Sequence, residues 1–225
     1  MIGNTPKEKV VDPEKILHRI KPGMSIFLST GAAEPRTMVK HLMNSSSGNI
    51  DDLELIQIFS FGDAISPKAL KSQNFRLKTF FSDWIVNTAI IEGRVDLVPT
   101  RFVDISHLIE SGQIPIDAAI VQITPPDEAG FCSLGLSVDI GKEAMEKAKF
   151  CVGEINPRMP KTYGDTFVSI SEFDLLVQSK DPPISFERWK TDDILDRVAQ
   201  NVASVIEDGS CIAFMVGPLY EAIAK

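Results

Sequence analysis

Two adjacent residues with nucleophilic side chains, Cys132 and Ser133, lie in the loop PPDEAGFCSLG, residues 125–135. A thiol or hydroxyl attacks a carbonyl efficiently only when a neighbouring base or a lowered pKa activates it. The nearest histidine along the chain is His107, and sequence separation alone does not decide whether such groups meet in a fold. We therefore predict a structural or wall-forming role for this loop, in which Gly130 allows a tight turn.

A second proline-rich loop, NPRMPKTYGD, begins at Asn156 and contains Met159 and Pro160. The side-chain amide of Asn156 could orient a substrate carbonyl. The same amide could instead end the preceding strand through an Asx turn. The sequence leaves both interpretations open.

The loop STGAAEP, residues 29–35, combines small residues with one carboxylate. Gly31 and two alanines would let a ligand approach backbone N–H groups at the start of the following helix. The same small residues would also suit a tight strand-to-helix turn. We interpret Glu34 as an acidic residue favoured by the dipole of that helix rather than as a nucleophile.

Buried strands must position these loops. Residues 116–123 form an apolar run long enough for one strand, and the Pro-Pro pair that follows ends it because proline donates no N–H to a ladder. Ser137 or Asp139 would cap a helix that runs to Ala148, and residues 150–155 form a second apolar run. Strand, helix and strand predict a parallel pair, so that both proline-rich loops leave the same edge of the sheet.

The rest of the chain alternates in the same way. The predicted strands are residues 24–28, 53–59, 75–81, 96–99 and 211–216, with short β-like runs at 166–170 and 173–178. The predicted helices begin near Pro13, Pro35, Trp84, Asp104, Asp192 and Pro218. This alternation predicts an α/β fold with an open, largely parallel sheet flanked by helices.

The composition limits the classes of function. With 225 residues, 44% hydrophobic and 24% charged, the chain suits one large globular domain or two small ones. A net charge of −8 argues against nucleic-acid binding, and no apolar run approaches the roughly 20 residues of a membrane span. The chain begins without a signal-peptide pattern, so we expect a cytoplasmic protein. Cys151 and Cys211 lie in apolar runs and are predicted to be inert core thiols, and we expect no metal site.

Several of these stretches occur together in one known family. The chain contains PPDxxGxCSLGxSVD at 125–139, NPxMPxTxGD at 156–165, STGAAEP at 29–35, EGRVDLVP at 92–99 and IEDG at 206–209. These motifs and their order closely resemble the acetyl-CoA hydrolase/transferase family. That family belongs to the class I coenzyme A transferases and includes acetate and 4-hydroxybutyrate CoA-transferases. The resemblance covers nearly the whole chain.

The resemblance implies a CoA-transferase (NagB/RpiA-like) fold and the N-terminal half of a two-domain enzyme. We expect a loose N-terminus over residues 1–11 and a single α/β domain over 12–225, with the last helix truncated at residue 225. The whole protein would move CoA between acetyl-CoA, or a similar acyl-CoA, and a small carboxylate. The family's nucleophile is a glutamate that forms a glutamyl-CoA thioester, and the resemblance implies that it lies in the second domain. We therefore expect no catalytic residue in this chain and no activity from the isolated domain.

The resemblance also implies the partners. Coenzyme A or acyl-CoA is expected as a substrate rather than as a permanent cofactor, and the C-terminal domain of the same polypeptide is the expected protein partner. Homodimer formation is left open. Thioester hydrolysis is one alternative, and a degenerate acyl-CoA sensor or scaffold is another. Tyr163 and Val168 replace histidines that are frequent in the family, and residues 214–218 replace a glycine-rich segment, which keeps the sensor alternative open.

The residues predicted to line the substrate site lie in the loops at 29–35, 125–135 and 156–165. They are Thr30, Gly31, Ala32, Ala33, Glu34, Pro35, Gly130, Cys132, Ser133, Asn156, Met159 and Pro160.

Overall fold

The computed structural model describes residues 5–45, 47–60, 62–66, 74–82, 86–185, 187 and 189–225, and every structural statement below concerns these residues. The first residues of the helix predicted near Trp84 lie outside them. The strands β1 to β9 are Ser25–Leu28, Leu53–Gln57, Phe75–Thr79, Val95–Leu97, Ala118–Ile123, Phe131–Ser133, Phe150–Ile155, Phe167–Ser169 and Leu175–Gln178. The helices α1 to α7 are Pro13–Leu17, Arg36–Asn44, Asn87–Ile91, Phe102–Glu110, Gly141–Lys147, Asp193–Ala203 and Pro218–Ile223.

Seven strands form one parallel sheet in the order β4-β3-β2-β1-β5-β7-β9. The chain adds β2, β3 and β4 on one side of β1 and then returns to add β5, β7 and β9 on the other. The predicted open parallel α/β sheet is thereby confirmed. The strand order therefore reverses between β1 and β5. At such a point, beyond the carboxyl ends of the strands, α/β proteins commonly bind ligands in a crevice.

Alternate residues of the central strands enter two different apolar clusters. In β1, Ile26 and Leu28 join one cluster, which includes residues of α1 and α2, whereas Phe27 joins the other, which includes residues of α4 and α5. Because successive side chains of a strand point to opposite faces, the two clusters cover the two faces of the sheet. This double burial explains why the strand sequences read as continuous apolar runs.

The segment after β5 is more ordered than a plain loop. Residues 131–133 form β6, which pairs antiparallel with β8 in a separate two-stranded sheet. The helix after it begins at Gly141, and its N-cap is Ile140 rather than Ser137 or Asp139. Asp139 lies at a φ of 29°, and its carboxylate accepts a hydrogen bond from the backbone N–H of Ile140 (2.7 Å). The predicted cap was wrong because Asp139 bonds to the adjacent residue instead of the second or third residue of the helix.

The N-terminal residues that we expected to be loose are partly attached to the edge strand. The N–H of Val11 donates to the carbonyl of Leu176 in β9 (2.9 Å), and the Lys9 ammonium donates to the carbonyl of Phe173 (2.6 Å). Val10 also forms an isolated parallel bridge with Leu176, so residues 9–11 lie beside β9.

The chain divides into two compact units, residues 1–184 and 185–225. In the second unit the helix predicted to begin near Asp192 is confirmed, and the Asp192 carboxylate caps it by accepting from the N–H of Leu195 (2.8 Å). The strand predicted at 211–216 is absent there, and Met215 and Val216 are 73% and 80% exposed. The prediction that Cys211 is a core thiol was also wrong, since its residue is exposed. The single domain expected over 12–225 stays a prediction.

Candidate functional site

Three loops leave the carboxyl ends of three adjacent strands. The small-residue loop, residues 29–35, follows β1, the first proline-rich loop follows β5 and the second follows β7. The strands pair in parallel, with Leu28 opposite Ile120 and Ile123 opposite Ile155. All three loops therefore emerge at the same edge, and the first two flank the point where the strand order reverses.

The two proline-rich loops, which were predicted to leave the same edge of the sheet, also contact each other directly. The Ser133 hydroxyl lies 3.2 Å from the Thr162 hydroxyl and 3.3 Å from that of Thr166, and it accepts from the N–H of Gly135 (3.1 Å). Gly135 has a φ of 71°, and a Cβ there would overlap the Cγ and Sδ atoms of Met159. Ser133 is therefore a hydrogen-bonding centre that joins the two loops, which is a structural role.

Cys132 is a poor candidate for a nucleophile. Its side chain is buried in β6, and burial, with a smaller repulsion from Asp127, raises the pKa of its thiol to about 12. Burial also raises the pKa of Cys151 to about 11. Neither thiol can supply much thiolate near neutral pH.

Asn156 forms the Asx turn that we considered. Its side-chain oxygen accepts from the N–H of Arg158 (3.0 Å). Its side-chain nitrogen donates to the side-chain oxygen of Gln122 (3.2 Å) and to the carbonyl of Asp181 (3.0 Å). The side chain is fully buried, and these hydrogen bonds are all to other groups of the protein.

A layer of buried polar side chains crosses the carboxyl ends of the strands, and our sequence reasoning missed it. Gln57 ends β2, Gln122 is the penultimate residue of β5 and Glu154 is the penultimate residue of β7, and all three are fully buried. Gln122 and Glu154 are register partners. The signal was visible in β5 and β7, because Gln122 and Glu154 are lone polar positions near the ends of otherwise apolar runs, and buried polar groups require partners.

Glu154 provides the cap of α2. The residue that precedes this helix is Pro35, which has no side-chain oxygen to accept from the first turn. The Glu154 carboxylate instead accepts from the N–H groups of Thr37 (3.2 Å) and Met38 (3.0 Å), and from the Ser179 hydroxyl (2.7 Å). Burial raises its pKa, while these hydrogen bonds act in the opposite direction.

The start of α2 has no N–H left for a ligand. The two remaining groups of the first turn donate to the carbonyls of Glu34 and Pro35, at 2.8 and 2.9 Å. Of the two interpretations of the small-residue loop, the tight strand-to-helix turn is therefore the one that the start of α2 favours.

Glu34 does not face the N-terminus of α2 either. Its residue is 1% exposed, and its carboxylate accepts from the N–H groups of Asp63 (2.5 Å) and Ala64 (3.4 Å) and from the side chain of Gln57 (3.1 Å). Burial raises the pKa of Glu34 to about 7, although the hydrogen bonds oppose this rise. The helix-dipole interpretation was wrong about the partner, because Glu154 already occupies that helix end.

Most of the predicted site residues are buried. Only Ala32, Gly130 and Pro160 have more than marginal exposure, and the other nine lie within the walls of the loops. Within the described part of the chain, Gln57 Oε1 and Ser60 Oγ are buried polar atoms with no hydrogen-bond partner. The contact of the predicted residues with a substrate stays a prediction.

The described part of the chain contains no group of three His, Cys, Asp or Glu side chains that could hold a metal ion. No helix of the described chain is both long enough and apolar enough to span a membrane.

A family model and individual proteins of similar sequence both match this chain. The family model described as "Acetyl-CoA hydrolase/transferase N-terminal domain" matches residues 4–215. A 4-hydroxybutyrate coenzyme A transferase from Clostridium kluyveri is 30% identical over 217 residues, which are 96% of this chain and 50% of that protein. A succinyl-CoA:acetate/propanoyl-CoA:succinate CoA transferase from Fasciola hepatica is 29% identical over 211 residues, 91% of this chain and 43% of its own. The chain thus spans about half the length of the curated relatives it matches.

Solved structures share the fold. RipA from Yersinia pestis matches with a TM-score of 0.80 and 24% identity, over 94% of this chain and 52% of its own. A 4-hydroxybutyrate CoA-transferase from Porphyromonas gingivalis matches with a TM-score of 0.73 and 24% identity, over 96% of this chain and 50% of its own. At this level of identity the likeness concerns the fold alone.

Proposed function

Because the chain belongs to the acetyl-CoA hydrolase/transferase family, we propose that it forms one wall of the acyl-CoA site of a CoA-transferase. A second α/β domain would supply the opposite wall and the nucleophilic glutamate. The observation that carries this proposal is the convergence of the three loops at the edge where the strand order reverses. Clefts between domains are frequent ligand sites.

The proposed reaction exchanges two carboxylates on one CoA. The glutamate carboxylate attacks the thioester carbonyl of acetyl-CoA, the C–S bond breaks, and an acyl-glutamyl anhydride and CoA thiolate form. The thiolate then attacks the glutamyl carbonyl, which releases acetate and leaves a glutamyl-CoA thioester. A second carboxylate reverses these steps and departs as the new acyl-CoA. No proton or redox partner is consumed.

The residues of this chain would act as a preformed wall. The buried hydrogen bonds of Ser133, Asn156 and Glu34 fix the three loops, so the surface that they present would be rigid before substrate arrives. Ala32, Gly130 and Pro160 are the predicted site residues with exposed surface, and they are the ones that we expect to touch acyl-CoA. Such preorganisation reduces the cost of ordering the site on binding.

The function is tested by incubating the full-length protein with acetyl-CoA and a second carboxylate such as butyrate. Formation of butyryl-CoA is the expected result, and free CoA without butyryl-CoA would favour thioester hydrolysis. If neither product forms, the transferase and the hydrolase proposals are both overturned and the sensor alternative is favoured. The departure from the glycine-rich pattern at 214–218 points to that alternative. The 225-residue chain alone should be inert in this assay, and turnover by it would show that a nucleophile lies within it.

The exposed apolar residues of the second unit support the proposed second domain. Val205, Met215 and Val216 are 77%, 73% and 80% exposed, and 211–216 is a strand-like apolar run without strand structure. We propose that this run is covered by the second domain, because exposed apolar patches mark interaction sites.

Amide hydrogen exchange can test that contact. In the full-length protein the amides of 211–216 should exchange at least about tenfold more slowly than in the 225-residue chain, because they would be buried and hydrogen-bonded. The amides of β5 serve as the internal control and should be equally protected in both. Equal exchange of 211–216 in the two proteins would contradict the proposed contact.

A further inference from the structure

The buried carboxylate of Glu34 connects the small-residue loop to the turn that starts at Asp63. We propose that Glu34 is a positioning residue that fixes residues 62–64 against the small-residue loop and so sets the shape of the acyl-CoA wall. This inference rests on the proposed function and assigns Glu34 a role without contact to the substrate.

The geometry separates the roles of the two carboxylate oxygens. Oε1 accepts from the N–H of Asp63 at 2.5 Å, and Oε2 accepts from the Gln57 side chain at 3.1 Å and from the N–H of Ala64 at 3.4 Å. Asp63 and Ala64 begin a 3₁₀ turn, whose first N–H groups have no partner within the turn itself. Glu34 thus caps that turn, which follows β2, from the small-residue loop that follows β1.

Two further hydrogen bonds hold the same segments together nearer the strands. The N–H of Gly31 donates to the carbonyl of Phe59 (3.3 Å), and the N–H of Ile58 donates to the Thr30 hydroxyl (3.0 Å). Beyond them, the Glu34 carboxylate reaches the turn that starts at Asp63. The Arg36 guanidinium also pairs with the Asp63 carboxylate (2.8 Å), but that pair lies at a partly exposed position.

The absence of a side chain at Gly62 leaves room for the Glu34 carboxylate. A Cβ at Gly62 would lie 2.5 Å from the Cδ and from the Oε2 of Glu34, a separation that real Cβ atoms do not show. The φ of Gly62 is −112°, so its backbone does not require glycine, and the close approach of Glu34 is what excludes a side chain.

Glu34 is also connected to the loops after β5 and β7. Its backbone carbonyl accepts from the Gln122 side chain (2.8 Å), and the Gln122 side-chain oxygen accepts from Asn156 (3.2 Å). A displaced Glu34 would therefore disturb the loops on both sides of the crevice. This chain of buried amides explains why a residue remote from solvent would affect substrate binding.

The test compares Glu34→Ala, Glu34→Gln and Gly62→Ala in the full-length protein. Glu34→Ala and Gly62→Ala should each raise the KM for acetyl-CoA about tenfold with kcat within about twofold, because binding geometry is lost and the nucleophile is untouched. Glu34→Gln keeps an acceptor oxygen and should restore KM to within about twofold of the wild type. Glu54→Ala is the matched control, since it removes a β2 carboxylate that pairs with Lys78 and has no contact with the loops described here.

A second readout does not depend on activity. In Glu34→Ala, hydrogen exchange of the amides of residues 62–66 should accelerate at least about tenfold, with those of β5 unchanged. Unchanged exchange at 62–66 would overturn the proposal, and so would accelerated exchange with an unchanged KM. If the wild type shows neither transfer nor hydrolysis, the proposed function fails, and exchange at 62–66 still decides whether Glu34 positions this segment.

Discussion

Replacing Glu154 by leucine should lower the free energy of unfolding by roughly 4 kcal/mol, since a lost hydrogen bond to a charged group and a stranded buried donor each cost about 1–3 kcal/mol. The substitution leaves the N–H groups of Thr37 and Met38 and the Ser179 hydroxyl without their acceptor. Pro35 cannot replace it, because its side chain carries no oxygen. Urea unfolding followed by far-UV circular dichroism would measure the loss.

Two further variants make this prediction specific. Glu154→Gln keeps one acceptor oxygen and should cost roughly half as much as leucine. Glu172→Ala removes a carboxylate that caps an exposed 3₁₀ turn through the N–H of Ser169 (2.7 Å), and it should cost about 1 kcal/mol or less. Equal losses for Glu154→Leu and Glu172→Ala would contradict the role that we assign to Glu154.

The stability should also depend on pH through Glu154. Its pKa is raised in the folded state by burial, so the folded state binds the proton more tightly than the unfolded state does. This contribution is present below the unfolded pKa and is lost as the pH rises through the raised folded pKa. Glu154→Gln should remove that part of the pH dependence.

Replacing Gly135 by alanine is expected to lower the free energy of unfolding by roughly 3 kcal/mol, from a left-handed backbone that costs an L-residue about 1–2 kcal/mol and overpacking that costs about 1–3 kcal/mol. Gly135 has a φ of 71°, and its new Cβ would overlap Met159. Since Met159 belongs to the loop after β7, the clash would separate the two proline-rich loops. Acetyl-CoA binding should weaken together with stability.

Gly164→Ala is the matched control for this variant. Gly164 also has a positive φ, 95°, but a Cβ there meets nothing within 4 Å. It should therefore show the backbone cost of about 1–2 kcal/mol without the overpacking cost. If the two glycine variants lose the same stability, then the contact between Gly135 and Met159 does not hold the loops together.

The parallel sheet was predictable because strands that are buried on both faces have nearly continuous apolar sequences. The runs at 118–123 and 150–155 are apolar on both faces, and the prolines after them mark the edge where the loops begin. The run at 211–216 carries the same signal yet forms no strand, since an apolar pattern reports a preference for burial and does not name the partner that provides it.

The candidate site was predictable as a set of loops and not as a set of contacts. For Cys132 and Ser133 the sequence predicted a structural or wall-forming role rather than a nucleophile, and burial, which raises the pKa of the Cys132 thiol, argues against a nucleophile. The partners of Glu34 and Glu154 could not be read from the sequence, because each bonds to residues that the sheet order alone brings near. Glu34, a carboxylate just before a helix, was interpreted as favoured by the dipole of that helix, whereas the carboxylate at that helix end is Glu154 of β7.

The distance along the chain between α2 and its cap has a consequence for biosynthesis. Thr37 leaves the ribosome 117 residues before Glu154, an interval of roughly ten seconds at ordinary translation rates of about 5–20 residues per second. During that interval the first turn of α2 lacks its carboxylate acceptor, and β1 lacks β5, its neighbour in the sheet. The start of α2 can therefore gain its cap only after β7 has been synthesised.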